Sequence, residues 1–297
     1  MKLFTSINMR HKMIFTHLGF YISTALMVIL CFVSGIYRDN KNDNMYSVIS
    51  SLSEFNYSFM LDNIDFCSIM ITLNNSNNWL PMFIPIISSF AFIPLICDEM
   101  KSGFIRFSVF RSSKLSYQAS KFLTACISGG LAVMLGYIIF TIFVYFLFPN
   151  INEYTPEMKK MIKDELSYSY PSFFNHGYVA LYIIKFIDFF IYGVLASVPS
   201  ITLTCIIRNK YLVMSIPFFL KYAITQTSIR LTSIAFNNFT NPNERLVKFA
   251  TVISPDSILD MFSSTIMRQI LFYNVFLTLI AFTLYMIICM RRLDVGE

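Results

Sequence analysis

Residue types that carry out catalysis are few in this sequence and form no known motif. The chain has three histidines, His11, His17 and His176, and none belongs to an H-E-x-x-H motif or to a His/Cys cluster that would suit zinc. No G-x-x-x-x-G-K-[ST] loop is present to hold ATP phosphates. A G-x-S elbow and a pair of aspartates within apolar segments, as in membrane proteases, are also missing. The sequence therefore predicts a protein that is not an enzyme and that binds no metal or cofactor.

Charged residues inside apolar segments are the other candidates for chemistry. Lys185 and Asp188 are three residues apart and can pair on one face of a helix. They form either a functional site within the membrane or an exposed pair on an outer extension of the helix, and the second interpretation is favoured. Lys221 and Arg230 interrupt a later apolar segment, as expected of a span that faces protein or a water-filled path. The sequence assigns no role to these four residues.

Composition places the chain in a membrane. Of its 297 residues 56% are hydrophobic and 13% are charged, whereas soluble domains carry about 25% charged residues. The net charge of +6 is gathered at the ends of apolar runs, which argues against nucleic-acid binding and for contact with lipid headgroups. The six cysteines show no metal-ligand spacing and are interpreted as small apolar packing residues without a disulfide framework. We expect one transmembrane domain, residues 1–297.

A short basic link, Cys97 to Lys121, connects two long apolar runs. It carries five cationic residues, Lys101, Arg106, Arg111, Lys114 and Lys121, and short basic loops between membrane spans stay in the cytoplasm. Met100, Phe104 and Phe107 are spaced as on one side of an amphipathic helix. Ser113 is a suitable N-cap for the helix that follows. The pattern predicts a small helix lying across the cytoplasmic ends of two spans.

The link resembles the coupling helix of bacterial ABC-2-type transporter permeases. The resemblance rests on an ordered set of residues that leads into a span: Glu99, Gly103, an apolar-basic run, Arg111, Ser113, Tyr117 and Lys121. In that family the segment docks on a separate ATPase subunit, and the permease pairs with itself or a related permease. The resemblance implies an ATPase interface at Glu99, Gly103, Phe104, Arg106, Phe107, Phe110 and Arg111. The alternative is a generic basic loop that only sets the topology.

The expected fold is all-α, with six transmembrane helices. We expect a protein of the cell membrane with both termini in the cytoplasm. The predicted spans are residues 17–37, 79–97, 122–148, 186–207, 211–235 and 270–290. Residues 1–16 are either a short interfacial helix or a frayed basic tail. The short inner segments hold twelve Lys/Arg and the longer outer segments hold eight, which supports this orientation.

Prolines and glycines indicate how the spans are shaped and packed. Pro81, Pro85 and Pro94 are expected to kink the second span. Gly129 and Gly136 lie close to one face of the third span, where small residues let helices approach closely in lipid. Pro255 and the apolar residues after it resemble the short re-entrant helices that ABC-2-type permeases carry between their last two spans.

The leading functional hypothesis is a permease subunit of an ATP-driven exporter. The chain contains 32 phenylalanines and 17 tyrosines. Spans rich in these residues suit an amphiphilic substrate, such as a hydrophobic peptide, a drug or a lipid-like molecule. The alternative is a membrane sensor or assembly subunit that transports nothing. An ATPase gene beside the gene for this chain would distinguish the two.

The predicted topology can be tested by cysteine labelling. Single cysteines at Ser51, Asn152 and Asn243 are expected to react with an impermeant thiol reagent in intact cells, because these positions lie in acidic or mixed-charge outer segments. A cysteine at Ser102, in the basic link, is expected to stay unlabelled. Labelling of the Ser102 position from outside would contradict the model of six spans with both ends inside.

Overall fold

The computed structural model describes residues 12–38, 44–75, 79–101, 113–171, 173–207, 209–236 and 243–295, which are mostly helical. Its α-helices are α1 Leu18–Val33, α2 Val48–Glu54, α3 Tyr57–Leu61, α4 Ser68–Asn74, α5 Leu80–Phe90, α6 Ile93–Lys101, α7 Lys114–Leu147, α8 Pro156–Ser169, α9 Tyr178–Thr204, α10 Lys210–Ala235, α11 Glu244–Ile253 and α12 Met267–Val295. Two short strands, β1 Gly35–Arg38 and β2 Met45–Ser47, form an antiparallel hairpin in which Tyr37 faces Tyr46. The sequence did not predict this hairpin. Of the expected N-terminal helix, residues 12–16 are described and helical, and the rest lies outside the described residues.

Four stretches are long and apolar enough to cross a membrane. They are Leu80–Glu99, Lys114–Glu153, Tyr178–Thr204 and Met267–Arg291, and they coincide with the predicted second, third, fourth and sixth spans. The first predicted span corresponds to α1, an apolar helix of 16 residues. The fifth corresponds to α10, which has 26 residues but is interrupted by polar side chains. The described chain is thus mostly helical, with four helical stretches of membrane-spanning length.

The proline-rich span is divided into two helices. The break falls at Ala91 and Phe92, so Pro94 lies in the first turn of α6, where its missing N–H costs nothing. The break leaves carbonyls near the end of α5 without a helical partner. The hydroxyl of Ser23, on α1, donates to the Ile87 carbonyl at 2.6 Å. A neighbouring helix therefore satisfies the freed backbone, as membrane helices with proline require.

The centre of the bundle is the crossing of α7 and α9. A Cβ atom built on Gly129 would lie 2.0 Å from the Ser197 Oγ, and one on Gly130 would lie 2.8 Å from the Phe190 carbonyl oxygen. Gly136 meets Met27 of α1 in the same way, at 2.6 Å. These distances confirm that the glycines of the third span serve close helix packing.

A compact region covers one end of the bundle. It comprises residues 44–75 and 149–171, and we call it the cap. Its helices share a buried apolar cluster whose members include Met70, Ile162 and Leu166, together with Leu181 at the start of α9. The hydroxyl of the buried Tyr137, on α7, donates to the Thr72 carbonyl. The cap thus packs against α7 and the start of α9.

The structure contradicts two expectations about cysteine positions. Cys205 and Cys289 form a disulfide with their Cα atoms 6.0 Å apart, so these two cysteines are not free packing residues. The remaining described cysteines, Cys31, Cys67, Cys97 and Cys126, are buried as expected and form no disulfide among the described residues. Ser51 is fully buried, so a cysteine there would not report on topology. Ser53, which is exposed two residues later on α2, replaces it in the labelling experiment.

The helix crossing gives a stability prediction. Gly130→Ala is expected to lower the free energy of unfolding by about 1–3 kcal/mol, because the added methyl group would lie 2.6 Å from the Val194 Cγ2 and 2.8 Å from the Phe190 carbonyl oxygen, and the backbone oxygen cannot move aside. Leu135→Ala, at a half-exposed position on the same helix, is the matched control and is expected to change stability less. Thermal unfolding of the purified protein in detergent measures both. An unchanged midpoint for Gly130→Ala would mean that the two helices are not this close.

Candidate functional site

The residues predicted to contact an ATPase lie at the end of α6 and in the link after it. Glu99 is on the last turn of α6 and is 5% exposed. Gly103, Phe104, Arg106, Phe107, Phe110 and Arg111 lie outside the described residues. On the other side of the link Ser113 caps α7, since its side chain accepts a hydrogen bond from the Ser116 N–H at 3.3 Å. The predicted N-cap is therefore confirmed.

Both ends of the link are set in packed structure. Ile96 and Cys97 of α6, Phe122 of α7 and Tyr285 of α12 belong to one buried apolar cluster. Within it the Tyr285 hydroxyl donates to the Gln118 Oε1 at 2.9 Å. The long polar side chains of Glu99, Gln118 and Lys121 are each only 5% exposed. A buried, partly polar junction of α6, α7 and α12 thus holds the two ends of the link.

A second group of charged residues surrounds Lys185. The interpretation of Lys185 and Asp188 as an exposed interfacial pair is wrong, because both side chains are 0% exposed within the helix packing. The Lys185 ammonium instead donates to the Asp260 Oδ1 at 2.8 Å and to the Leu259 carbonyl at 3.0 Å. Since a buried ammonium is stable only when paired and hydrogen-bonded, these contacts explain how an apolar helix accommodates it.

Asp188 lies one turn further along α9, and its carboxylate has fewer hydrogen bonds than the Lys185 ammonium. Neither of its carboxylate oxygens has a hydrogen-bond partner among the described residues. Tyr170, at the end of the cap helix α8, lies next to Lys185; burial raises the pKa of its phenol, and the lysine charge offsets part of that rise. The phenol therefore stays neutral, and the positive charge of Lys185 is balanced by its acidic neighbours.

Lys221 is held in the same manner from another helix. Its ammonium lies 2.8 Å from the Asp256 Oδ1, with side-chain exposures of 7% and 37% respectively. The ammonium also lies 5.4 Å from the centre of the Tyr192 ring, a cation–π distance. The Tyr192 hydroxyl donates to the Pro81 carbonyl at 3.1 Å and to the Asp256 Oδ1 at 3.4 Å. Arg230, in contrast, is exposed on α10 and takes no part in this group.

The two ion pairs meet on one short segment. Asp256 and Asp260 are four residues apart, in and just after the 3₁₀ turn Pro255–Ile258, and they bind lysines of α10 and α9. Ile258, Leu259 and Met261 of the same segment are buried. We call Lys185, Lys221, Asp256 and Asp260 the lysine clamp. It fixes the segment between α11 and α12 inside the helical bundle, in the place where a re-entrant helix was expected.

A cavity of about 290 Å³ lies beside the clamp, between α9, α10 and α12. Its wall is mainly apolar, with Pro85 on α5 and Pro255 and Ile258 on the clamped segment, and Lys221 also lines it. Across the ranges the structure describes, no group of three or more His, Cys, Asp or Glu side chains is placed to hold a metal ion. The cavity offers space for a small, mainly apolar ligand.

The sequence pattern does not single out Asp256 and Asp260, because they lie outside the apolar runs. Lys185 and Lys221 stand out in the sequence as charges within spans, but Asp188 is the acidic residue at helical spacing from Lys185. The available signal was the spacing of Asp256 and Asp260 in a segment that otherwise resembles a membrane-inserted turn. Lysines in apolar helices imply acidic partners elsewhere in the chain, and Asp256 and Asp260 are two of the acidic residues that could serve.

Comparison of the chain with protein-family models, with curated proteins and with solved structures finds no match.

The buried charges predict a large effect of removing Lys185. Lys185→Met is expected to destabilise the protein by about 3–5 kcal/mol, because it leaves the buried Asp188 without a nearby cation and breaks the bond to Asp260. Adding Asp188→Asn to Lys185→Met is expected to recover part of the loss. Thermal unfolding of the purified variants checks this.

The matched control is Lys163→Met, which removes an exposed lysine of the cap helix α8. It is expected to change stability by less than about 1 kcal/mol, as for other exposed charges. Equal, small effects of Lys185→Met and Lys163→Met would contradict the buried pairing.

Proposed function

We propose that this chain is the membrane-spanning permease subunit of an ABC-2-type exporter. It crosses the cell membrane six times, with both termini in the cytoplasm, and works as a homodimer or a heterodimer. A separate ATPase subunit binds its link and supplies the energy. The transported molecule is an amphiphile.

The observation that carries the proposal is the buried junction at the two ends of the link. A segment that transmits motion needs rigid attachments, because force applied to a flexible loop would be lost in the loop. Here α6 ends and α7 begins in one packed cluster with α12, and polar side chains such as Glu99 and Lys121 are buried in it. Displacing the link would therefore move three helices together.

The four apolar helices of membrane length and the lysine clamp support the same function. In apolar helices, paired charges are expensive to bury and mark pathways or moving parts more often than static supports. The clamp joins α9 and α10 to the segment before α12, so a shift of α12 at the junction reaches the clamp through one continuous helix, Met267–Val295. The cavity beside the clamp provides space for an apolar ligand.

The coupling role predicts the effect of truncating the link's aromatic residues. Phe104→Ala combined with Phe107→Ala is expected to reduce both transport and co-purification of an ATPase, because aromatic anchors at an interface contribute on the order of 2–4 kcal/mol each. Arg106→Ala is expected to weaken co-purification only slightly, since a rim charge mainly affects association rate. The measurement is affinity purification from native membranes, with mass spectrometry of any protein that contains a phosphate-binding loop.

The permease must be present at equal levels in every sample, which quantification of the tagged chain establishes. Undiminished ATPase recovery with the double phenylalanine variant would show that the link is not the docking element. Recovery of no ATPase with the unsubstituted chain would favour the alternative of a sensor or assembly subunit.

A further inference from the structure

The cavity beside the lysine clamp has an asymmetric chemistry. Leu195 and Ala196 of α9, Leu277 and Ala281 of α12 and Ile224 of α10 make its wall apolar. Lys221 is the charged residue among the described residues that line it. A site with one long apolar wall and one charged end matches a molecule with one apolar chain and one charged head.

Three other polar side chains of the wall donate hydrogen bonds to backbone carbonyls of their own helices. The Thr202 hydroxyl donates to the Pro199 carbonyl at 2.8 Å, and the Thr278 hydroxyl donates to the Asn274 carbonyl at 2.8 Å. The Asn274 amide donates to the Ile270 carbonyl at 2.9 Å. Because these groups are bonded to their own helices, they add little polarity to the cavity.

Lys221 differs from them, because its ammonium has donors to spare. An ammonium carries three N–H groups, and within the described chain its hydrogen-bond partner is the Asp256 Oδ1 at 2.8 Å. Its side chain is 7% exposed, so water does not readily serve the other N–H groups. A buried donor without a partner is costly, and a ligand acceptor would remove that cost.

The sign of the ligand's charge follows from which partner faces the cavity. Lys221 lines it, whereas Asp256 does not and has a side chain that is 37% exposed. A ligand in the cavity therefore meets the cation first. An anionic head can accept hydrogen bonds from the ammonium, while a cationic head would be repelled before it could reach the carboxylate.

We infer that this cavity binds a single-chain amphiphile with a carboxylate head, such as a long-chain fatty acid, with its head on Lys221 and its chain between α9 and α12. The volume of about 290 Å³ is at the lower end of small-molecule sites, which run from about 300 to 1,000 Å³, and suits one chain rather than two. Binding does not depend on the proposed function. That the bound molecule is also the transported substrate does rest on it.

The clamp makes binding sensitive to Asp256. The ligand carboxylate and Asp256 share one ammonium, so each weakens the hold of the other on Lys221. A bound ligand thereby loosens the attachment of the Pro255–Ile258 turn to α10, and the Lys185–Asp260 pair remains as its link to α9. Removing the charge of Asp256 is consequently expected to strengthen ligand binding rather than weaken it.

The test is photolabelling of the purified full-length protein in phosphatidylcholine nanodiscs. The probe is a sixteen-carbon fatty acid with a diazirine in its chain, compared with the alcohol and the primary amine of the same length. We expect the acid to label peptides of α9 and α12. Lys221→Met is expected to raise the half-saturating concentration of the acid at least about tenfold, as for a lost hydrogen bond to a charged group. Asp256→Asn is expected to lower the half-saturating concentration of the acid.

Two further variants keep the test decisive even if Lys221→Met folds poorly. Ala196→Phe fills the cavity without changing its charge and is expected to abolish specific labelling. Lys248→Met removes an exposed lysine on α11 and is expected to change nothing. Preference for the amine, with loss of labelling in Asp256→Asn, would overturn the inference in favour of a cationic ligand. Equal labelling by acid and alcohol would show that the cavity holds only ordinary membrane lipid chains.

Discussion

The cost of holding a lysine ammonium away from water is the constraint on which this structure depends. Lys185 and Lys221 lie in helices that are otherwise apolar, and each would be strongly destabilising if left unpaired. Asp260 and Asp256 provide the compensating charges from one turn of chain. That turn is therefore held against the bundle with Ile258 and Leu259 buried, and its residues Pro255 and Ile258 line the cavity between α9, α10 and α12.

The charged side chains of this region do not pair one to one. Two lysines face three aspartates, of which Asp188 accepts no hydrogen bond from a described residue. A buried ion pair is a poor source of stability but an effective way to select one arrangement over another. The clamp thus favours one position of the segment between α11 and α12.

Much of the fold was predictable because membrane spans are encoded locally. Apolar runs of sufficient length revealed four helices, and the glycine face of α7 revealed a close crossing. The first and fifth predicted spans are less clear because α1 has 16 residues and α10 carries Lys221 and Arg230. The β1–β2 hairpin, the cap and the Cys205–Cys289 disulfide were missed, because each depends on contacts between segments that are distant in the sequence or on backbone pairing without an apolar pattern.

The candidate site was predictable only in part for the same reason. Lys185 was paired with Asp188 from their spacing, whereas its actual partner, Asp260, is 75 residues away. The central claim is that lysines of α9 and α10 hold the segment between α11 and α12 by direct charge pairing. A double-mutant cycle on Lys221→Met and Asp256→Asn, followed by thermal unfolding, tests it most directly. Direct pairing predicts a coupling free energy above about 1 kcal/mol, with the double variant more stable than the sum of the single effects implies. Effects that simply add would contradict the pairing and remove the physical basis of the clamp.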